Sequence, residues 1–261
     1  MKLGLEGKGA IVTGASKGIG LSVARALVEE GAYVVAGSRG SSPELDELVA
    51  SGRATTVSVD LSDAGGPDGL VTSALERGPV DILINNVGAV TPRLDGFLAV
   101  TDDDWNHSLN MNLLAAIRTS RAVLPSMVAA GRGCIVTTSS INAHLPDPAV
   151  IDYSAAKAAL ANLSKSLSKE FAASGIRVNS VSPGPVSTPL WLGEGGVAAT
   201  IAHATGLDAL EVARRAADDA ATGRFTTPDE VASLIVFLAS DHAGNITGAD
   251  YIIDGGLLKS I

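Results

Sequence analysis

Tyr153 and Lys157 stand four residues apart, a spacing that puts both side chains on one face of a helix if the segment is helical. A phenol and an ammonium can then share a site. An unperturbed tyrosine titrates near pH ~10, too high for easy proton exchange near neutrality, and a neighbouring cation favours the phenolate. Tyr153 is therefore a candidate proton donor in one direction and acceptor in the other, tuned by Lys157. Thirteen residues before Tyr153, at Ser140, the run Thr138-Ser139-Ser140 ends. An uncharged hydroxyl there can donate a hydrogen bond to a substrate carbonyl. Adjacent side chains of a strand point to opposite faces, so one serine faces the site, and pattern alone leaves open which. Read singly, each feature also has a plain structural use: neighbours on a half-exposed helix, or a strand end satisfying its own backbone.

A second group of residues suits a nucleotide. Thr13-Gly14-Ala15-Ser16-Lys17-Gly18-Ile19-Gly20 follows a short apolar run and precedes helical spacing. Glycines there let a pyrophosphate approach the main chain, and a helix start offers free N–H groups and a positive dipole end. The glycines at 14, 18 and 20 depart from G-x-G-x-x-G, so a ligand-free tight turn is the competing reading. About 20 residues beyond such a turn an acidic residue binds a ribose 2′-hydroxyl, whereas an arginine accommodates a 2′-phosphate. That region reads Ala36-Gly37-Ser38-Arg39-Gly40, with no carboxylate before Glu44. Arg39 with Lys17 can hold a phosphate by charge-assisted hydrogen bonds, which favours NADP(H) over NAD(H).

The elements that must position these groups alternate along the chain. Strands are expected at 9–13, 33–36, 54–59, 81–84, 134–138, 176–181 and 251–253. Helices are expected at 18–30, 43–50, 102–130, 153–173 and 228–239. Such alternation implies one α/β domain spanning 1–261, a doubly wound and mostly parallel sheet with helices on both faces. Residues 187–227 interrupt the rhythm with a partly helical excursion carrying Trp191, an insertion of the kind that covers a site.

Composition narrows the function. With 46% hydrophobic and 18% charged residues over 261 positions, the chain has material for a substantial core. Its formal charge of -9 shows no footprint for nucleic acid or an anionic membrane. One cysteine, Cys134, excludes an intrachain disulfide, and the four histidines lack the paired spacing of a zinc motif, so no metal is expected. The start, 1–10, has no apolar signal-peptide core, and no apolar run approaches the ~18 residues of a membrane span. A cytoplasmic protein is expected.

Taken together, Thr13 to Gly20, Asn85-Asn86-Val87-Gly88, Tyr153-Ser154-Ala155-Ala156-Lys157, Pro183-Gly184 and Asp254-Gly255-Gly256 resemble the short-chain dehydrogenase/reductase family in order and spacing, over nearly the whole chain. The resemblance implies Tyr153 as proton donor and Lys157 as the residue that lowers its pKa and holds the nicotinamide ribose. Its serine-to-tyrosine spacing selects Ser140 over Ser139. It makes Asn112 the fourth catalytic member, on a water-linked proton path to the lysine, with Asn110 as the rival and a plain hydrogen bond inside the helix as the alternative.

For the cofactor, NADP(H), the resemblance implies Gly14, Ser16, Lys17, Gly18, Ile19 and Gly20 of the turn, then Ser38 and Arg39. It adds Asp60 and Leu61 near the adenine, Asn85 and Gly88 along the ribose, Pro183 and Gly184, and Val186 and Thr188 near the carboxamide. Val87 replaces the family's usual alanine and is expected to crowd the cleft floor. Substrate walls are expected at 89–98, 141–152 and 189–192, where Trp191 and Leu192 suggest an apolar lid and Arg93 a binder of an anionic group. The implied activity is NADPH-dependent reduction of a ketone or 3-oxoacyl thioester, the alternatives being an alcohol or sugar dehydrogenase and a non-catalytic NADP(H) sensor. The family commonly assembles as homotetramers through the helices expected at 102–130 and 153–173.

Overall fold

Among the described residues, seven short apolar runs become seven strands that pair in one parallel sheet, in the order third, second, first, fourth, fifth, sixth, seventh along the chain. The computed structural model describes residues 2–259. The first half runs β1 (Gly9–Thr13), α1 (Gly18–Glu29), β2 (Tyr33–Ser38), α2 (Pro43–Ala50), β3 (Ala54–Ser58), α3 (Gly66–Leu75) and β4 (Ile82–Asn85). A continuous helical stretch follows, made of α4 (Asp102–Leu109), a π-helical turn (Asn110–Leu114) and α5 (Ala115–Ala130). Then come β5 (Gly133–Thr138), α6 (Ile151–Phe171) and β6 (Ile176–Pro183). The excursion holds α7 (Pro189–Leu192), α8 (Val197–Thr205) and α9 (Ala209–Asp218), before α10 (Pro228–Ala239) and β7 (Asp250–Ile253) close the chain.

The five central strands are buried on both faces, as a parallel sheet covered by helices requires, whereas the edge strands β3 and β7 are partly exposed. Val12, Val34, Ala36, Ile84 and Val136 pack with α1 and α10 residues such as Leu27 and Ile235 in one core. Ile11, Val35, Leu83 and Ile135 form the opposite core with Leu70, Val123 and Met127 of α3 and α5. Chain direction across the sheet reverses beside β1, whose neighbours are β2 on one side and β4 on the other. The crevice that opens at the carboxyl ends of β1 and β4 is where ligands bind in such folds.

Most expected elements stand where periodicity puts them. The helix expected at 102–130 is interrupted by the π turn, and α3 went unforeseen because its opening Gly-Pro-Asp-Gly reads as a turn. Among the described residues one helical stretch, Asp102–Ala130, does reach the length and apolarity of a membrane span, against the expectation that none would. Part of its apolar surface is buried within the fold, where Ala115, Val123, Leu124 and Met127 lie in the sheet-facing core, while Leu114 and Val128 are exposed. The excursion forms its own small cluster around Ala198, Ala202 and Val212. A parallel bridge between Val186 and Thr226 ties the end of the excursion to its start, just beyond β6.

Candidate active site

A cleft of about 910 Å³ lies at the carboxyl ends of the strands and reaches from the glycine turn to the excursion. At one end β1 turns into α1 through Gly14 and Gly18, whose φ values of 68° and 56° fall in the left-handed region. Lys17, at the N-cap, is extended and gives no side-chain cap, so the first N–H groups of α1 remain available to an anion. The turn is braced from β4: Thr13 Oγ1 accepts hydrogen bonds from Asn86 N at 2.8 Å and Val87 N at 3.1 Å. Asn86 Nδ2 donates to Thr13 O at 3.0 Å.

Ser16, Lys17, Ile19, Ser38, Arg39, Asp60 and Leu61 line this end with Gly14 and Gly18. Lys17 and Arg39 are exposed at the rim, and neither side chain has an ion-pair or hydrogen-bond partner among the described residues. Asp60 is held below the usual carboxylate range by hydrogen bonds from the Ser62 side chain and backbone, helped by Arg39. The Ser62 carbonyl is in turn held by Asn110 Nδ2 at 2.8 Å and Arg118 Nη1 at 3.3 Å.

The middle of the cleft carries the proton chemistry. Tyr153, Lys157 and Ser140 all line it. Lys157 Nζ sits 5.6 Å from the centre of the Tyr153 ring and donates to the Thr138 carbonyl at 2.8 Å. The lysine is 3% exposed, and burial lowers its pKa to about 8. Burial raises that of Tyr153, opposed by a hydrogen bond with the Ser140 side chain. Burial thus opposes the lowering expected from the lysine, whose ammonium lies over the ring and donates to Thr138. Ser140 Oγ also donates to Asn142 Oδ1 at 3.1 Å. Ser139 also lines the cleft, but its Oγ donates to the Lys157 carbonyl at 3.1 Å, whereas the Ser140 hydroxyl is the one beside Tyr153.

Three expected residues stand behind the cleft lining. Asn85 does not line the cleft; its Nδ2 donates to Ser120 Oγ at 3.0 Å and its buried Oδ1 has no partner. Strand alternation turns Asn85 toward α5, so its neighbour Asn86 is the cleft residue. Gly20 packs behind the turn, where a side chain would strike the Gly14 carbonyl. Asn112 lies in the π turn, with its Oδ1 accepting from Ala89 N at 3.0 Å and its Nδ2 donating to Ala89 O at 2.9 Å and Ser108 O at 3.0 Å. It thus clamps the chain after β4, and Oδ1 and the lysine converge on Gly88: a Cβ there would lie 2.9 Å from Oδ1 and 3.5 Å from Nζ.

Gly88, Pro183, Gly184, Val186 and Thr188 complete the lining toward the substrate end, where Val90, Pro92, Leu145, Pro146, Leu190 and Trp191 form apolar walls. Val87 lines the floor and packs against the core beneath. Trp191 meets Phe225 edge-on, with ring centroids 5.3 Å apart, whereas Leu192 is exposed outside the cleft. Arg93 does not face an anionic substrate; its guanidinium is bound to Asp152 and Asp104. His144 pairs with Asp250 at 2.6 Å. Among the described residues no cluster of three or more His, Cys, Asp or Glu side chains is placed to hold a metal ion.

With parallel sheet, glycine turn and Ser-Tyr-Lys cluster in place, comparison with known proteins defines the class. A family model described as enoyl-(acyl carrier protein) reductase matches residues 14–258. The oxidoreductase UcpA of Escherichia coli (strain K12) is 38% identical over 97% of this chain and 95% of its own length. The 3-oxoacyl-[acyl-carrier-protein] reductase FabG of Vibrio harveyi is 35% identical over 98% and 99%. Among solved structures, L-sorbose reductase from Gluconobacter frateurii, complexed with NADPH and L-sorbose, superposes with a TM-score of 0.91 at 35% identity, covering 100% of both chains. The chain belongs to the short-chain dehydrogenase/reductase family. It is an oxidoreductase of the kind that interconverts CH–OH and C=O groups.

Proposed function

We propose that the protein is an NADP(H)-dependent reductase of uncharged ketones, able to run in reverse as an alcohol dehydrogenase. The observation that carries this reading is the convergence of Ser140, Tyr153 and Lys157 between a glycine turn with two unpaired cations and an apolar wall. The dinucleotide fits the residues present. The uncapped start of α1 takes the pyrophosphate, Lys17 and Arg39 take the 2′-phosphate, Asp60 and Leu61 border the adenine, and Gly88 leaves the close approach that a side chain would fill. When bound, the nicotinamide supplies the hydride in reduction and accepts it in oxidation.

The chain's own groups handle orientation and the proton. Ser140 donates a hydrogen bond to the ketone oxygen and stabilises negative charge as it develops there. Tyr153, protonated at neutral pH as an ordinary phenol is and the more so for its burial, gives its phenolic proton to that oxygen and takes it back in the alcohol direction. Lys157 is largely charged at neutral pH and holds the nicotinamide ribose, with Asn112 bracing Gly88 and Ala89 beside it.

The substrate end has no free cation: the lining cations are Lys17, Arg39 and Lys157, and the first two belong to the nucleotide end. Its apolar walls suit the acyl chain of a 3-oxoacyl thioester or another hydrophobic ketone. A ketose is the second reading, favoured by Asn142, Asp147 and Asp219 among the lining residues and by the likeness to a sorbose reductase. The assembly we propose is a homotetramer, supported by an apolar groove of about 390 Å³ between α5 and α6, lined by Leu124, Pro125, Val128, Leu163, Leu167 and Phe171. Oxidation of NADPH and NADH is to be followed with 3-oxoacyl thioesters, simple ketones and ketoses. Turnover of at least one ketone with NADPH preferred is expected; NADPH binding without turnover of any carbonyl would favour the sensor alternative.

A further inference from the structure

Arg93 takes no part in the proton chemistry, yet it joins three segments that meet at the site. It lies in the wall 89–98, which has no regular structure before the 3-10 turn Phe97–Ala99. Its backbone N–H donates to the Ala149 carbonyl at 2.6 Å, across the cleft mouth from its own segment. Its guanidinium donates through Nε at 3.1 Å and Nη2 at 2.6 Å to Asp152 Oδ2, and through Nη1 at 2.8 Å to Asp104 Oδ1. The arginine side chain is 14% exposed and that of Asp152 2%. Asp104 is fixed by the capping box it forms with Thr101 at the start of α4.

The other oxygen of Asp152, Oδ1, accepts the backbone N–H of Tyr153 at 3.0 Å. That bond stands at the first turn of α6, where the N-cap residue Val150 has no side-chain cap to offer. A buried carboxylate needs a partner to remain charged, and Arg93 supplies it.

We propose that Arg93 is a positioning residue: through Asp152 it sets the first turn of α6, and through its own loop it sets the facing substrate wall, so that the Tyr153 phenol and the ketone meet at a fixed height. The proposal rests on the reading of Tyr153 as proton donor. Small misplacements of a reacting group are expensive in rate even when binding survives.

The test uses Arg93→Lys, which keeps the charge without the planar fork, and Arg93→Met/Asp152→Leu, which removes both buried charges together and leaves only the partly exposed Asp104 without its arginine. In the double variant kcat is expected to fall about tenfold or more while the NADPH Kd stays within about threefold, and Arg93→Lys is expected to lie between it and the parent. An unchanged kcat in the double variant, or a loss of NADPH affinity as large as the loss of kcat, overturns the proposal.

A second readout needs no turnover. The chain has three tyrosines, so a Tyr33→Phe/Tyr251→Phe background leaves Tyr153 as the sole phenol in an ultraviolet titration. Lys157 and Ser140 face that phenol, and burial is what raises its pKa. Adding Arg93→Met/Asp152→Leu is expected to bring the titration closer to the ordinary value of about 10. Should the background protein reduce no ketone, the proton-donor reading fails by itself, and an unmoved titration then overturns the positioning role independently.

Discussion

Lys157 carries its charge where burial resists it. Its pKa falls from 10.5 to about 8, which corresponds to a penalty of about 3 kcal/mol for the charged form in the folded protein. The hydrogen bond to Thr138 returns only about 1 kcal/mol of this. Lys157→Met is therefore expected to abolish turnover while unfolding at a higher temperature than the parent at pH 7, as measured by thermal denaturation. The folded state binds this proton more weakly than the unfolded chain does. The penalty is accordingly full below about pH 8 and fades toward pH 10.5. The parent should gain stability across that window from this group, and the variant should lack the gain. Arg39 is the second residue whose role is separable. Charge-assisted hydrogen bonds are worth about 1.5–3 kcal/mol each, so Arg39→Ala should weaken NADPH binding about tenfold to 100-fold and leave NADH nearly untouched. Equal losses for both nucleotides would remove the 2′-phosphate assignment.

At the scale of elements, the π turn places Asn112 against Ala89 and so joins the helix to the loop that follows β4. Asn112→Ala leaves the Ala89 N–H and carbonyl without that partner and should cost about 2 kcal/mol in urea unfolding, with KM raised more than the NADPH Kd. The sequence makes the regular elements legible where ends carry strong signals. Helix α2 has Ser42 as N-cap with Pro43 next, and α10 has the Thr227/Glu230 capping box. Helix α3 lacks such help: no side chain caps it and its glycines oppose it locally, and burial of Leu70, Val71 and Ala74 stabilises it. Nothing in Asn110-Met111-Asn112-Leu113 marks a π turn, since residue types are shared with an ordinary helix. The Tyr-Lys spacing and the glycine turn were readable because both are local in sequence. Asn85 and Asn86 exchange places because one residue of strand phase decides which faces the cleft. Arg93 misleads for a different reason, since its partners Asp104 and Asp152 are remote in the chain and meet only in the fold.

For the whole molecule, a chain with a net acidic charge must receive a polyanion in its cleft. The formal charge is -9, and the cations Lys17 and Arg39 at the rim oppose the repulsion locally. Raising ionic strength from about 0.01 to 0.15 M shortens the screening length from roughly 30 to 8 Å. Added salt should therefore screen the long-range repulsion more than the contact pairing at Lys17 and Arg39, so NADPH should lose no affinity relative to NADH, and titrations by nucleotide fluorescence would read the difference. The central claim is that one sheet brings Tyr153 to a ketone oxygen as its proton donor beside a nicotinamide. The most direct measurement is steady-state reduction of a ketone substrate with NADPH by the parent and by Tyr153→Phe, alongside NADPH affinity for both. Loss of the phenolic proton should lower kcat by about 10²–10⁴-fold while NADPH binds unchanged. Near-normal turnover by Tyr153→Phe would contradict the account.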